Sequence, residues 1–227
     1  DGEKMAKSRP EYCVDPIDTI NEYGADALRT YEMFIGDYEK DSVWSENGLK
    51  GCKKFLDRIY RMKDRLIKDD NYSKSLESII HKTIKKVTND MLSMKFNTVV
   101  SSLMILVNEY DKMDNITTAD YKVLLTLLNP MAPHMTEELN EECGLGDILA
   151  YTSWPTYDEF KTIDEVLEIG VQVNGKLRGS ISINLNEEEN SVKEKALNEP
   201  NVKKHLEGKE LVKVIVVKNR IVNIIIK

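Results

Sequence analysis

The sequence has few of the residues that form metal sites and disulfide frameworks. Its three cysteines are Cys13, Cys52 and Cys143, and its three histidines are His81, His134 and His205. The cysteines are odd in number and widely spaced, none forms a Cys-x-x-Cys pair, and the histidines show no ligand spacing. We therefore expect neither a structural metal nor a disulfide framework, and we expect the chain to occupy a reducing compartment, the cytoplasm.

Long apolar runs are also absent. No stretch approaches the ~18–20 residues of a membrane span, so no membrane association is expected. The first four residues contain no apolar segment typical of a secretory signal, and residue 1 is not Met, which is consistent with a fragment. With 41% hydrophobic and 31% charged residues, the composition is that of an ordinary globular protein. A length of 227 residues allows about one to three compact units.

The charge is unevenly distributed. The net charge of -7 does not suggest a partner with negative phosphates, because phosphate contacts need local positive potential. However, residues 50–68 hold eight basic and two acidic residues, and residues 200–227 hold seven basic and two acidic ones. Residues 137–168 hold ten acidic residues and one lysine. Such segregation is what a protein that contacts RNA on selected faces would show, but by charge alone solvated helix faces are the preferred interpretation.

The middle of the chain has the periodicity of a helical bundle. From Leu49 the apolar residues repeat every three to four positions, and this pattern predicts a helix that ends at residues 69–71. Further helices are predicted from near Ser73, around residues 96–110, from Thr118 as the N-cap to Asn129, and from Pro133 to just before Gly144. Short connections between helices favour an antiparallel bundle.

After the bundle, the period changes from 3.6 to 2. Residues 151–165 are interpreted as a linker, and alternating apolar residues then predict a β-hairpin around Asn174-Gly175. A three-residue loop that pairs Val171 with Leu177 keeps one face apolar, so we prefer this register over a two-residue loop. Ser191 and Glu194 predict a capping box for one short helix, which Pro200 ends, and two β-rich runs follow. The fold class is mainly α with a small ββαββ C-terminal domain.

Two motifs near the start carry a family resemblance. Lys4-Met5-Ala6-Lys7-Ser8 resembles the second signature of class I aminoacyl-tRNA synthetases, written KMSKS, and residues 23–29 resemble the helix that follows it. Ala6 replaces the usual Ser, and Arg9-Pro10 replaces a frequent Lys-Gly. In that family the signature lies near the end of the catalytic domain, so the resemblance implies that most of the active site lies outside this chain.

The resemblance extends along the whole chain. Residues 44–58 are similar to the join between catalytic domain and bundle in bacterial leucyl-tRNA synthetases, residues 128–134 to the family's last bundle helices, and residues 171–179 to its C-terminal domain. The implied organisation is 1–48 as the end of the catalytic domain, 49–150 as an anticodon-binding-type bundle, 151–165 as a linker and 166–227 as a tRNA-binding domain. His134, which follows Pro133, is expected to cap or pack rather than to act in catalysis.

The resemblance also implies site residues. The loop would bind ATP through residues 4–8, with Lys7 stabilising charge on the triphosphate and Lys4 in support, and with Mg²⁺ in the parent enzyme. Contacts with tRNA(Leu) would involve Lys50, Lys53, Lys54, Arg58, Arg61, Lys176, Arg178, Lys213, Lys218 and Arg220. Leucine would be bound by the missing catalytic domain, and the chain alone is expected to be an inactive monomer that binds no cofactor. The alternatives are a stand-alone RNA-binding module and a class I synthetase for valine, isoleucine or methionine.

Overall fold

The chain divides into two compact units, residues 1–162 and residues 163–227. The computed structural model describes residues 5, 6, 8–10, 13–37, 39–162 and 166–227. Lys4 and Lys7, which carry the predicted catalytic role, lie outside the described residues. Across the described ranges, no helix combines the length and the apolar character needed to cross a membrane.

The first unit begins with two consecutive short helices. Helix α1 spans Pro16–Tyr23, and its N-cap Asp15 accepts a hydrogen bond from the backbone N–H of Ile17 at 2.7 Å, while Pro16 occupies the first turn. Gly24 has φ +91°, a conformation that glycine adopts without strain, and it separates α1 from α2, which spans Ala25–Phe34. Buried residues on α2 then join the core of the bundle.

Five further helices form the bundle. They are α3 (Glu46–Arg61), α4 (Glu77–Leu92), α5 (Phe96–Tyr110), α6 (Thr118–Leu128) and α7 (Pro133–Glu142). Their apolar stripes meet in one core, in which Ile59, Ile80, Leu103, Leu124 and Leu139 are fully buried. The 3.6-residue periodicity of the sequence therefore identified the five helices. Their bounds differ from the prediction at the end of α3, at the start of α4 and at the N-cap of α6.

Helix α3 is shorter than predicted. It ends at Arg61, a 3-10 turn follows at Met62–Arg65, and the chain then extends as β1 (Leu66–Ile67). Strand β1 pairs in parallel with β2 (Ile116–Thr117), and this pairing requires an extended backbone at the point where the apolar pattern predicts more helix. The Tyr121 hydroxyl donates to the carbonyl of Ile59 at 2.9 Å and fixes the last turn of α3. Helix α4 begins at Glu77, after a turn closed by the hydrogen bond from the N–H of Leu76 to the carbonyl of Ser73, and not near Ser73.

The N-cap of α6 lies one residue earlier than predicted. Thr117, not Thr118, is the N-cap, and it forms a capping box in which Thr117 and Asp120 each accept the other's backbone N–H at 3.0 Å. The Thr118 hydroxyl instead donates to the carbonyl of Asp69 at 2.8 Å. Asp120 is fully buried and also accepts the N–H of Ser73, so one carboxylate joins α6 to the turn that precedes α4.

The segment expected to be a linker packs, as far as residue 162, against the bundle. Trp154 donates through Nε1 to the Thr88 hydroxyl at 2.9 Å, and the N–H of Asp158 donates to Nδ1 of His81 at 3.1 Å. Burial lowers the pKa of His81, so the ring accepts this bond in its neutral form. These contacts place residues 151–162 within the first compact unit.

The C-terminal unit is a four-stranded sheet with two helices. Its elements are β3 (Val166–Val173), β4 (Lys176–Asn184), α8 (Glu189–Asn198), α9 (Pro200–Leu206), β5 (Leu211–Val217) and β6 (Ile221–Ile226). The strand order is β4-β3-β6-β5, with β3 and β6 parallel. The arrangement is therefore ββααββ, and the predicted ββαββ was wrong by one helix. Pro200 begins α9 because Glu199 accepts the N–H of Val202 as its N-cap.

The predicted capping box of the tail is also wrong. Helix α8 begins at Glu189, two residues before Ser191, and the Ser191 hydroxyl donates to Glu187. The Glu187 carboxylate also pairs with Lys195, and these contacts lower its pKa to about 2. Glu187 therefore joins the first turns of α8 through the side chains of Ser191 and Lys195, and among the residues that the structure describes no side chain caps the backbone of this helix.

The hairpin has a different register from the preferred one. Val173 pairs with Lys176 across a two-residue loop, in which Asn174 and Gly175 have φ of 48° and 79°, as the tight hairpin turn requires. Gln172 then pairs with Leu177, and Arg178 is an extra residue that shifts the register, so Val171 faces Gly179. The bulge restores the apolar pairing of Ile169 with Ile181. Leu177, predicted to be buried, is 66% exposed.

Candidate nucleic-acid interface

Five residues of α3 were predicted to contact tRNA, and three of them form ion pairs within the protein. Lys50 pairs with Glu46 at 2.6 Å and Lys53 pairs with Asp57 at 2.5 Å, both one turn apart on the helix. Arg58 reaches a neighbouring helix, where it contacts Asp111 at 2.5 Å and the Asn108 side chain at 2.7 Å. These pairs reduce the positive potential that residues 50–58 could offer to a phosphate.

Two further cations of this region also have acidic partners. Lys63 contacts Glu142 at 2.7 Å and lies 4.1 Å from the ring centroid of Tyr60, and the Glu142 carboxylate raises the pKa of Lys63. Arg65 contacts Asp111 at 2.7 Å and donates to the carbonyl of Met113. Asp111 thus accepts from two arginines and connects the end of α3 to the end of α5.

Lys54, Arg61 and Lys68 remain as the exposed cations of this face. Within the part of the chain that the structure describes, none of the three has an ion-pair partner. Lys54 and Arg61 belong to the predicted set, and seven residues place them two turns apart on α3. They are the side chains of the predicted α3 set that are most available to an external anion.

Lys68 opens onto a cavity that sequence reasoning did not predict. The cavity has a volume of about 770 Å³ between the ends of α3, α6 and α7. Its charged lining residues are of both signs, namely Lys63, Lys68, Lys122, Asp64, Asp70 and Glu142. A cavity with balanced charge does not attract phosphate as a whole, so it adds little to the candidate interface.

Two motifs that are distant in sequence meet at the start of α7. The Asp26 carboxylate is 8% exposed and accepts the N–H of Met135 at 2.7 Å and a hydrogen bond from Nδ1 of His134 at 2.8 Å. From the next turn of α2, the Arg29 guanidinium donates to the carbonyls of Pro130 and Met131 at 3.0 and 3.2 Å. Helix α2 therefore holds both the end of α6 and the beginning of α7. His134 contributes to this cap, as expected.

The described part of the lysine loop is a tight turn. The N–H of Arg9 donates to the carbonyl of Ala6 at 2.8 Å, and the Cys13 thiol donates to the same carbonyl at 3.3 Å. Met5 and Ser8 are exposed. The turn therefore lies close to the residues that lead into α1.

In the C-terminal unit, two predicted cations lie together. Lys176 and Arg178 line a small pocket of about 220 Å³ at the hairpin end of the sheet. The same pocket is lined by His205 and Lys209, which the sequence analysis did not select. The signal that could have indicated them was the excess of basic residues in 200–227, but only the fold brings this part of the chain next to β4.

The other predicted cations of the tail lie elsewhere. Lys218 and Arg220 flank the β5–β6 turn, at the end of the sheet opposite the β3–β4 turn. In this turn the Asn219 side chain accepts the backbone N–H of Asn186 at 3.0 Å and donates to the side-chain oxygen of Asn186 at 3.1 Å. Lys218 also lines a pocket with three consecutive glutamates, residues 187–189. Lys213 lies on β5, an edge strand. The five predicted tail cations therefore do not form one face.

Comparison with known proteins identifies the class of the chain. Residues 73–195 match the family described as the anticodon-binding domain of tRNA ligase. This match covers more than half of the sequence, from the turn before α4 into α8. The chain belongs to this family, and the matched residues include helices α4 to α7.

More specific similarity comes from individual relatives. The chain is 49% identical over 225 residues to a leucine–tRNA ligase of Alkaliphilus oremlandii (strain OhILAs), which covers 99% of this chain and 28% of that protein. It is 44% identical over 227 residues to a leucine–tRNA ligase of Elusimicrobium minutum (strain Pei191), covering 99% of this chain and 27% of that protein. The chain thus spans less than a third of the length of these relatives.

A solved structure shows the same fold. In a crystal structure of the ternary complex of Agrobacterium radiobacter K84 agnB2 LeuRS with tRNA and LeuAMS, 31% of the LeuRS chain matches the whole of this chain, with a TM-score of 0.72 and 29% identity. The similarity therefore extends over the whole chain, from the lysine-loop region through the bundle to the C-terminal unit.

Proposed function

We propose that the chain is the C-terminal part of a leucine–tRNA ligase, which activates leucine with ATP and transfers it to tRNA(Leu). The observation that carries this proposal is identity of 44–49% over essentially the whole chain to two leucine–tRNA ligases. An enzyme of this kind acts in the cytoplasm, and we propose that the chain does so as part of a monomer. The leading alternative is a stand-alone RNA-binding module.

Within that enzyme, residues 1–48 would complete the catalytic domain. The ammonium groups of Lys7 and Lys4 would stabilise negative charge that develops on the triphosphate of ATP as leucyl-adenylate forms. Residues 4–8 would contact ATP, whose Mg²⁺ and leucine partners bind to the part of the enzyme that precedes this chain. For that reason we propose that the chain alone neither binds a cofactor nor activates leucine.

The tRNA contacts would come from two surfaces. On the bundle (49–150), the unpaired Lys54 and Arg61 are best placed for phosphate contacts, since the ion pairs of Lys50, Lys53 and Arg58 must first be broken. In the C-terminal domain (166–227), Lys176 and Arg178 share one pocket. Contacts by Lys213, Lys218 and Arg220 would need a second, separate region of the tRNA.

The experiment is a binding titration of the chain with tRNA(Leu) at several salt concentrations. Replacing both Lys54 and Arg61 with Ala should weaken binding and flatten the salt dependence by about 0.9 of a slope unit for each lost phosphate contact. The matched control replaces Lys53 and Asp57 with Ala, which removes a pair that is already neutral, and should change the slope much less. Equal slopes in the two variants would contradict the bundle contact.

The alternatives are tested in the same titration. A part of a leucine–tRNA ligase should prefer tRNA(Leu) over tRNA for valine, isoleucine or methionine under identical salt. Tighter binding of one of those three would favour the corresponding class I synthetase. Equal affinity for all four tRNAs and for an unrelated RNA duplex would favour the stand-alone RNA-binding module.

A further inference from the structure

We propose that Lys176, Arg178, His205 and Lys209 form a ribose-phosphate site that binds one segment of RNA backbone. The inference rests on the proposed tRNA contact, and it adds the chemical class of the ligand and two residues to that contact. Four basic side chains line a pocket of about 220 Å³, together with Val173, Asn174 and Ile226. Of the described residues that line it, none is acidic, although Glu207 and Glu210 flank Lys209 in sequence.

The hairpin side of this pocket is fixed by the last strand. The Asn174 side chain donates to the carbonyl of Ile226 and accepts its N–H, both at 3.1 Å. The N–H of Gly175 donates to the Asn223 side chain at 3.1 Å. Three hydrogen bonds therefore hold the turn that precedes Lys176, so a ligand meets a pre-formed turn and does not need to order it.

The other side of the pocket is positioned by a close approach at Gly179. The Glu199 carboxylate, which caps α9, lies so near β4 that a Cβ on Gly179 would be 2.5 Å from one of its oxygens. Glycine at this position leaves room for the capping carboxylate of Glu199 beside β4. As a result, His205 at the end of α9 and Lys209 beyond it come next to Lys176 and Arg178.

His205 gives the site a feature that lysines cannot provide. Its Nδ1 lies 2.8 Å from the carbonyl of Asn201, and because a carbonyl only accepts, Nδ1 carries the hydrogen. In the neutral ring, Nε2 is then a hydrogen-bond acceptor and is the ring nitrogen left for a ligand. The ribose 2′-hydroxyl is a donor that DNA lacks, whereas the phosphate beside it would be bound by the cations. This combination selects RNA backbone over free phosphate and over DNA.

The test uses the 227-residue chain, a tRNA(Leu) transcript and single substitutions. Lys209→Ala should weaken binding and reduce the salt slope by about 0.9. His205→Ala at pH 8 should weaken binding by about threefold to tenfold, the effect of one neutral hydrogen bond, without changing the slope, and His205→Gln, which keeps an acceptor, should recover part of the loss. Lys204→Ala is the matched control, since Lys204 is an exposed residue of α9 that does not line the pocket, and it should bind as the unmodified chain does.

Two outcomes distinguish a failure of the four-residue site from a failure of the proposed tRNA contact of the C-terminal unit. If Lys209→Ala and His205→Ala both behave like Lys204→Ala while the Lys176→Ala, Arg178→Ala double variant binds poorly, the tRNA contact stands and the four-residue site is wrong. If the double variant also binds normally, both are wrong.

A spectroscopic readout is independent of affinity for tRNA. The His205 ring resonance should shift on addition of a short RNA duplex and stay unchanged with DNA of the same sequence. Equal shifts with both duplexes would contradict the role of the 2′-hydroxyl.

Discussion

The removal of the Asp26 carboxylate is a direct test of how α2 holds the last helix of the bundle. Asp26 is 8% exposed, and its two oxygens accept from the backbone of Met135 and from His134. Loss of a helix cap costs about 0.5–2 kcal/mol, and an N–H left buried without a partner costs about 1–3 kcal/mol. Since these costs overlap, we expect Asp26→Ala to lower the free energy of unfolding by about 2–3 kcal/mol.

The assay can be confined to the first unit. Both tryptophans, Trp44 and Trp154, belong to it, so intrinsic fluorescence during thermal or urea unfolding reports on residues 1–162. For a unit of this size, 2–3 kcal/mol corresponds to a melting temperature lower by about 4–12 °C. Asp26→Asn keeps one acceptor oxygen and should lose about half as much.

The control is Asp41→Ala, at an exposed position. It should leave the transition within about 0.5 kcal/mol of the unmodified chain. If Asp26→Ala unfolds at the same temperature as Asp41→Ala, the carboxylate does not stabilise the junction and the reasoning fails. An unchanged melting temperature with a loss of tRNA binding would instead assign Asp26 to the interface.

Three further outcomes are expected. In the intact enzyme, Lys7→Ala should slow leucine-dependent pyrophosphate exchange by about 10²–10³-fold with leucine affinity nearly unchanged, and a normal rate would refute the catalytic role. Gly179→Ala should destabilise the C-terminal unit, because its Cβ would meet the Glu199 carboxylate at 2.5 Å and displace it from its cap on α9. In a Glu199→Ala background, where that cap is already lost, Gly179→Ala should cost less; an equal cost in both backgrounds would contradict the close approach. Burial lowers the pKa of His81, so at this residue the folded state binds fewer protons than the unfolded state. The contribution of neutral His81 to the free energy of unfolding should therefore be fully present above about pH 6.5 and should decline as the pH falls below it. In urea titrations at pH 7.5 and 5.5, His81→Gln should make this decline smaller.

Sequence periodicity predicted the bundle well and its interruptions poorly. The apolar stripe continues through Met62 and Leu66, so nothing in the pattern marks the end of α3 at Arg61. The interruption depends on the pairing of Leu66 with Ile116, which is fifty residues away. Pro200 was interpreted as a helix end, although proline is equally suited to a first turn, and the cap that decides between them is Glu199.

The candidate interface was predicted only in outline for a similar reason. Charge patterns along α3 showed a basic face, but whether a lysine or arginine is free depends on partners such as Asp111, which directly follows a different helix, α5. In the tail, the bulge at Arg178 moved the register by one residue, and a shift of one residue exchanges the two faces of a strand. His205 and Lys209 join Lys176 only through the packing of α9 on β4.

The parallel pairing of β3 with β6 has a consequence for how the C-terminal unit assembles. Each of the two hairpins, β3–β4 and β5–β6, closes over a short loop and can form within microseconds. The two hairpins are joined by four residue pairs, from Gly170 with Ile221 to Val173 with Ile224, across about fifty residues of chain. Docking of two preformed halves should therefore limit the folding rate. For the same reason, a cut between α8 and α9 would leave two fragments, each with a complete hairpin, that can recognise each other through one short ladder and a shared core.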